Sequence, residues 1–267
     1  MNISEGRDRQ KLRELADVCA DDLLDLHIDP DHNRSVFTLI GVEAPRLLAR
    51  RAVDCLTLEH HSGVHPRLGV VDVVPFVPLD DSTRRDANLR RDEFAQWAGS
   101  ELAVPCFVYG DERSLPEVRK QAWKNLLPQF GPQLPHPTAG AMCVGSRDLL
   151  VAYNVWLEPG ISEVDARRLA RQVRGDGIRT LALRIGEQWQ ISMNLIEPAR
   201  VGPAHAVDRL ASLAPTTTQL ARCELVGLIP ESSLKQIPVE RWGFLDLSTD
   251  KTIEYRRRYG YSWDGEN

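Results

Sequence analysis

Three of the seven histidines in this 267-residue chain lie within six residues of one another, in Glu59-His60-His61-Ser62-Gly63-Val64-His65-Pro66-Arg67-Leu68-Gly69. Imidazole is the side chain whose unperturbed pKa lies nearest neutrality, so the cluster suits general acid–base chemistry. His61 and His65 are four apart, a spacing that on a helix shares a face and would suit zinc. Gly63 and Pro66 work against a helix there, and no metal is expected. Loop histidines facing solvent without a task are the plainer alternative. A second set stands at a strand end, Asp25-Leu26-His27-Ile28-Asp29, followed at once by Pro30-Asp31-His32-Asn33-Arg34. Alternate side chains of a strand face one way, so Asp25, His27 and Asp29 are expected on one polar surface. A third stretch is Phe130-Gly131-Pro132-Gln133-Leu134-Pro135-His136-Pro137-Thr138-Ala139-Gly140. Its prolines and glycines exclude a helix or a central strand, leaving a shaped loop that either walls a pocket or merely connects.

These segments need a frame, and the periodicity supplies one. Leu12, Leu15, Ala16 and Cys19 recur at helical spacing over 8–20, and Leu23 to Ile28 reads as a strand. Asp29 to Asn33 is a turn cluster, and Arg34 to Ile40 a β-rich run that pairs with the preceding strand or lies near it. A helix is expected near 43–57. A buried strand follows over Leu68 to Val77, with Pro75 near an end or edge. Thr83 to Glu101 predicts a helix with Leu89, Phe94, Trp97 and Ala98 inward, Val104 to Tyr109 a strand, and Pro116 to Leu126 a short helix. Ala141 to Val144 and Leu149 to Trp156 read as strands split by a Gly145-Ser146-Arg147-Asp148 turn.

Glu158-Pro159-Gly160 punctuates the chain, so domains over 1–158 and 161–267 are expected. Beyond it, a helix from Ser162 to Arg174 buries Ala166, Leu169, Ala170 and Val173. Strands near 178–185 and 188–196, a helix near 203–214 and a strand near 219–227 complete a second unit. Arg256-Arg257-Arg258 reads as a solvated run. Both halves mix strands and helices in similar order, which predicts an α+β fold with mixed or antiparallel sheets. The P-loop and the GxGxxG fingerprint are both absent from the sequence.

Composition narrows the function classes. Lys plus Arg number 33 against 38 Asp plus Glu, a net charge of −5, which argues against a nucleic-acid binder that lives on phosphate contacts. No window approaches 18 uncharged apolar residues and the first residues lack a signal peptide's apolar core, so no membrane partner and a cytoplasmic location are expected. The five cysteines, Cys19, Cys55, Cys106, Cys143 and Cys223, include no CxxC pair and read as reduced, buried thiols.

Taken in order, these stretches resemble the formiminotransferase family. The matching segments are Asn2 to Arg7, Asp31 to Val36, His61 to Phe76, Leu115 to Arg119, Phe130 to Pro132, Leu150 to Val155 and Leu225 to Pro230. The block His65-Pro66-Arg67 with its following strand is long and specific. The resemblance implies two similar ferredoxin-like α+β subdomains with a ligand channel between them, a homodimer, and tetrahydrofolate as co-substrate with no metal. It implies transfer of a formimino group from N-formimino-L-glutamate to N5 of tetrahydrofolate, a step of histidine degradation and one-carbon metabolism. It makes His65 the catalytic histidine and Gly131, Pro132, Gln133, Leu134, Pro135, His136, Pro137, Thr138, Ala139 and Gly140 the folate-contacting segment. Arg34, Arg67 and Arg119 sit inside matching motifs and suit the carboxylates of glutamate and the folate tail. Asp25 and Asp29 are candidates to hold the cationic formimino group or to steady His65, and His27, where the family often carries an acidic residue, is a further candidate substrate contact. The rival expectation is a folate-binding member with weak or no transfer, or one that uses another one-carbon donor. By the same resemblance Met1 takes the slot before Asn2 and the family's first strand is missing, so an unfilled sheet position with an exposed edge is expected there.

Overall fold

The computed structural model describes residues 1–175 and 177–263, so Asp176 and the last four residues of the expected second domain lie outside it. The chain divides into two compact units, one starting at Met1 and running to Asp148, the other Leu149–Gly260. Tyr261 and Trp263 pack on the core of the first. The division falls ahead of Glu158-Pro159-Gly160, which joins a strand to a helix inside the second unit.

The first unit opens with β1 (Asn2–Ile3), α1 (Arg9–Asp17), β2 (Leu23–Asp29), β3 (Arg34–Leu39), α2 (Glu43–Cys55) and β4 (Val71–Phe76). It continues with α3 (Arg84–Glu101), β5 (Cys106–Tyr109), α4 (Leu115–Gln121) and β6 (Met142–Ser146). Its sheet runs β2-β3-β1-β4-β6-β5, antiparallel up to β4 and parallel beyond. The helices form where the sequence can cap and bury them. Asp8 accepts the Lys11 N–H at 3.1 Å at the start of α1, and Leu12, Leu15 and Ala16 turn inward. Thr83 and Asp86 close a capping box on α3. Ile3, Leu26, Phe37, Val71 and Leu48 meet in the main core, while Val73, Phe107, Val118 and Cys143 form a second cluster. Cys55 is half-buried and the other four cysteines are buried, all as free thiols.

Several expectations are corrected here. β1 is only two residues long, yet it is paired on both sides, Asn2 with Val36 of β3 and Val73 of β4. The edge strands are therefore β2 and β5, and no edge opens at Asn2. Pro75 lies past the reach of β1, where a missing N–H costs no ladder bond. Leu68 to Val70 precede the strand instead of starting it. Leu89 is 54% exposed, because Ala87, Arg91, Phe94 and Ala98 define the inner face of α3 and Leu89 falls on the opposite side of the turn. α4 stops at Gln121, where Ala122 leaves helical geometry and Trp123 takes φ +65°. The strand ending at Ser146 pairs in parallel with β4 and β5, so it makes no hairpin with the strand that follows Asp148.

The second unit repeats the opening succession with β7 (Val151–Leu157), α5 (Glu163–Val173), β8 (Ile178–Ile185), β9 (Gln188–Leu195), α6 (Pro203–Leu213) and β10 (Leu220–Val226). Its sheet is antiparallel throughout, in the order β10-β7-β9-β8. Both units thus run strand–helix–strand–strand–helix–strand, the split βαβ succession. The expected inner residues of α5, Ala166, Leu169, Ala170 and Val173, are all buried. Two short helices close the unit, α7 (Glu231–Leu234) and α8 (Ile253–Tyr259). α8 carries the arginine run, and Arg256 is not solvated as expected, since its side chain is 16% exposed and lies 3.7 Å from Asp250.

Candidate active site

His65 rides on the connection from Leu56 to Val70, between α2 and β4. That connection is fastened along its length. The Leu58 N–H donates to the Thr138 carbonyl at 2.8 Å, and the Ser62 carbonyl accepts from Asn33 Nδ2 at 3.0 Å. Gly63 lies so close to the β2–β3 turn that a Cβ there would stand 2.2 Å from the His32 carbonyl oxygen. Ser4 Oγ donates to the Gly69 carbonyl at 2.8 Å, beside the isolated bridge between Gly69 and Gly140.

The His65 ring itself is half-buried. Its Nδ1 is 2.8 Å from the Pro66 carbonyl oxygen. A carbonyl only accepts, so Nδ1 carries the proton and Nε2 presents its lone pair. Burial, and then the charge of nearby Arg34, press the imidazole down to about 4, so it is neutral through the physiological range. The His32 ring lies 6.1 Å away, centroid to centroid, and its Nδ1 is 3.7 Å from an Asp29 carboxylate oxygen. Asp29 also accepts the His32 backbone N–H at 2.8 Å, which shapes the turn.

The three candidate arginines have different tasks. Arg67 donates to the His65 carbonyl at 2.8 Å and to the His32 and Asn33 carbonyls at 3.2 and 3.4 Å, and it contacts His61. It therefore fastens the His65 loop to the β2–β3 turn. Arg34 and Arg119 converge instead on Asp72, which is fully buried. Burial alone would raise the Asp72 carboxyl, but the two guanidiniums outweigh it and hold the group below the usual carboxylate range.

Asp25, His27 and Asp29 pair in register with Thr38, Val36 and Arg34, so they share one face of the β2–β3 ribbon with Arg34. The proline-rich loop is anchored at both ends. Gly131, at φ +80°, packs against Gly99 of α3, where a Cβ would stand 2.6 Å from the Gly131 nitrogen. Gly140, at φ +71°, exchanges two backbone hydrogen bonds with His136, at 2.8 and 3.0 Å. Ala139 is buried and its carbonyl accepts the Val70 N–H at 3.0 Å. The structure thus brings this loop and the His65 loop side by side, with Gly131 to Pro135, Pro137 and Thr138 exposed. Among the described residues, no three His, Cys, Asp or Glu side chains converge as metal ligands would.

Residues 1–147 match the model of the formiminotransferase domain, N-terminal subdomain. The chain belongs to the formiminotransferase family. It is 31% identical to the glutamate formimidoyltransferase of Thermoplasma acidophilum, over 87% of this chain and 88% of that one. Identity to the glutamate formimidoyltransferase of Streptococcus pyogenes serotype M1 is 32%, again over 87% of this chain and 88% of that one. Identity to the formimidoyltransferase-cyclodeaminase of Gallus gallus is 28%, over 87% of this chain but 50% of that protein. The family match ends at residue 147 and the first unit's main segment at Asp148, so the match takes in every candidate site residue.

Asp72, Asn33 and His32 were not assigned a role from sequence. The available signal was an Asp inside the β-branched run Val70-Val71-Asp72-Val73-Val74, since a carboxylate buried in a strand requires partners.

Proposed function

We propose that this protein transfers the formimino group of N-formimino-L-glutamate to N5 of tetrahydrofolate, with His65 as general base. The observation that carries this reading is the state of His65, a neutral imidazole with Nε2 available, in a member of the formiminotransferase family. The relatives named glutamate formimidoyltransferase support glutamate as the part of the donor that leaves. N5 is a weak nucleophile that must lose a proton as it attacks the formimino carbon. Nε2 of His65 accepts that proton, and the carbon becomes tetrahedral. The bond from that carbon to the glutamate nitrogen then breaks as His65 returns the proton to the departing nitrogen. A carboxylate on the Asp25–Asp29 face meets the cationic, amidinium-like group, and Arg34 and Arg119 supply charge for the anionic partners. The loop from Gly131 to Gly140 holds the folate, its prolines limiting the ordering cost of binding.

One observation favours the rival reading, folate binding with weak or no transfer. An imidazole near 4 is a weaker base than the task prefers. Purified protein, mixed with tetrahydrofolate and formiminoglutamate while the pterin spectrum is followed, decides between them. The proposed reaction gives a spectral change whose rate scales with protein. Folate binding with an unchanging pterin spectrum leaves the rival standing.

A further inference from the structure

Asp72 ties Arg34, Arg119 and the end of the His65 loop to one carboxylate. Its Oδ2 accepts from Arg34 Nη1 and from Arg119 Nη2, each at 2.6 Å. Its Oδ1 accepts from Arg119 Nη1 at 3.2 Å and from the Leu68 backbone N–H at 2.8 Å. Arg119 therefore meets Asp72 as a two-pronged fork, and the same carboxylate pins the end of the loop that carries His65. Arg34 is held on two sides, at Nη1 by Asp72 and at Nε by Asn2 Oδ1 at 3.3 Å. Its Nη2 makes no hydrogen bond to any described residue, although Arg34 is only 8% exposed. Two guanidiniums and one carboxylate leave a single positive charge in a place shielded from water, where charge acts strongly.

We propose that Asp72 is a positioning residue that holds Arg34 and Arg119 as a seat for one substrate carboxylate, with Arg34 Nη2 as its open donor, beside His65. The seat accepts a monoanionic group. A carboxylate cancels its charge, whereas a dianionic phosphate would bring a negative charge with no partner there. Fixing the seat and the His65 loop on one carboxylate keeps the bound substrate and the base in a constant register. The identity of the carboxylate, the donor's or the folate tail's, rests on the proposed transfer reaction, while the seat itself does not.

The test measures KM for formiminoglutamate and for tetrahydrofolate, and separately the Kd of L-glutamate by calorimetry. Asp72→Asn removes a negative charge, so a purely electrostatic role predicts tighter binding of anions. Positioning predicts the opposite, a rise of about tenfold to a hundredfold in KM and Kd, the range for losing hydrogen bonds to a charged group. Unchanged or tighter binding overturns the proposal. Asp72→Asn also leaves the buried Arg34 and the half-buried Arg119 without a counter-charge. If it does not fold, Arg119→Lys takes its place, because it keeps the charge but loses the fork. A KM rise near tenfold is then expected, and an unchanged KM overturns the seat. A penalty in the donor's KM identifies the donor carboxylate. A penalty in the folate's KM that disappears with tetrahydropteroate, which lacks the glutamyl group, identifies the folate tail. A wild-type protein that binds L-glutamate without transferring sinks the proposed reaction and leaves the seat. One that transfers, with variants of unchanged KM and Kd, sinks the seat alone.

Discussion

The two units share one succession of strands and helices, and within that shared part they differ most at two connections. In the first unit the path from α2 to β4 runs from Leu56 to Val70 and carries His60, His61 and His65. The matching path in the second, from α6 to β10, runs only from Ala214 to Gln219 and holds no histidine. The turn between β2 and β3 spans Pro30 to Asn33, and its buried Asn33 accepts the Gly6 N–H at 3.0 Å while donating to Ser62. The turn between β8 and β9 is Gly186-Glu187, with nothing within 4 Å of a Cβ placed on Gly186. One framework therefore serves twice. The proposed chemistry lies where a connection is lengthened and then tied down by backbone contacts too close for a side chain.

The sharpest way to break this comparison is at His65. His65→Ala should lower kcat by roughly 10²- to 10⁴-fold, the usual loss for a general acid–base group, with folate affinity far less affected. Thr217→Ala, on the short matching path, should leave kcat unchanged. Steady-state rates of the two variants check both halves. Wild-type rates in His65→Ala would remove the imidazole from the reaction.

The next effect separates tight glycines from free ones. Gly63→Ala places a methyl 2.2 Å from the His32 carbonyl oxygen, against backbone on a loop held by Arg67 and Asn33. It should cost roughly 1–3 kcal/mol of stability and also reduce kcat, because the His65 loop must shift to relieve the clash. Gly186→Ala meets no neighbour and has only its φ of +57° against it. About 1–2 kcal/mol is expected there, with kcat intact. Urea titration with parallel rate measurements distinguishes the two. An equal loss of kcat in both would mean that the tight connections do not hold the site.

The framework was largely legible in the sequence and the fastening was not. Apolar spacing sets α1 and α5 on the correct faces, because Leu12, Leu15 and Ala16, like Ala166, Leu169, Ala170 and Val173, point one way at 3.6 residues per turn. β1 has two residues, too few for any period, so its central place could not be read. Leu68 to Val77 read as one buried strand, which hid both the bridge at Gly69 and the buried charge at Asp72. Asp72 meets Arg34 and Arg119 across 38 and 47 residues of chain, and no local spacing encodes such a pair. His65 was legible from its motif, whereas its tautomer and its depressed basicity depend on Pro66 and Arg34 in three dimensions.

A smaller effect sharpens the contrast at the loop from Gly131 to Gly140, which belongs to the extension beyond β4 that the second unit lacks. Pro135→Gly with Pro137→Gly frees backbone whose φ the proline rings fix. If the loop holds folate, each change should cost about 0.4–1 kcal/mol of ordering, or together roughly fourfold to thirtyfold in folate Kd, with the melting temperature little changed. A titration curve identical to wild type would make the loop a connector only.

The smallest effect concerns pH and the first unit alone. His65 is lowered from 6.5 to about 4 by burial and then by Arg34, and His61 is lowered by burial and then by Arg67. Between about 4 and 6.5 the unfolded chain therefore binds protons at His65 that the folded protein does not, so unfolding becomes easier as pH falls and stability rises with pH across that window. Both rings sit on the connection from Leu56 to Val70, so the loss should fall on β2 to β4 before β7 to β10. Amide exchange at pH 5 and pH 7, corrected for intrinsic rates, should show protection falling first in the first sheet, on the order of a single proton's linkage. Replacing His65 by Ala should flatten most of that difference, since the ring that titrates is gone. An equal loss of protection in both sheets would show that acid acts on the whole chain and that the site imposes no cost of its own.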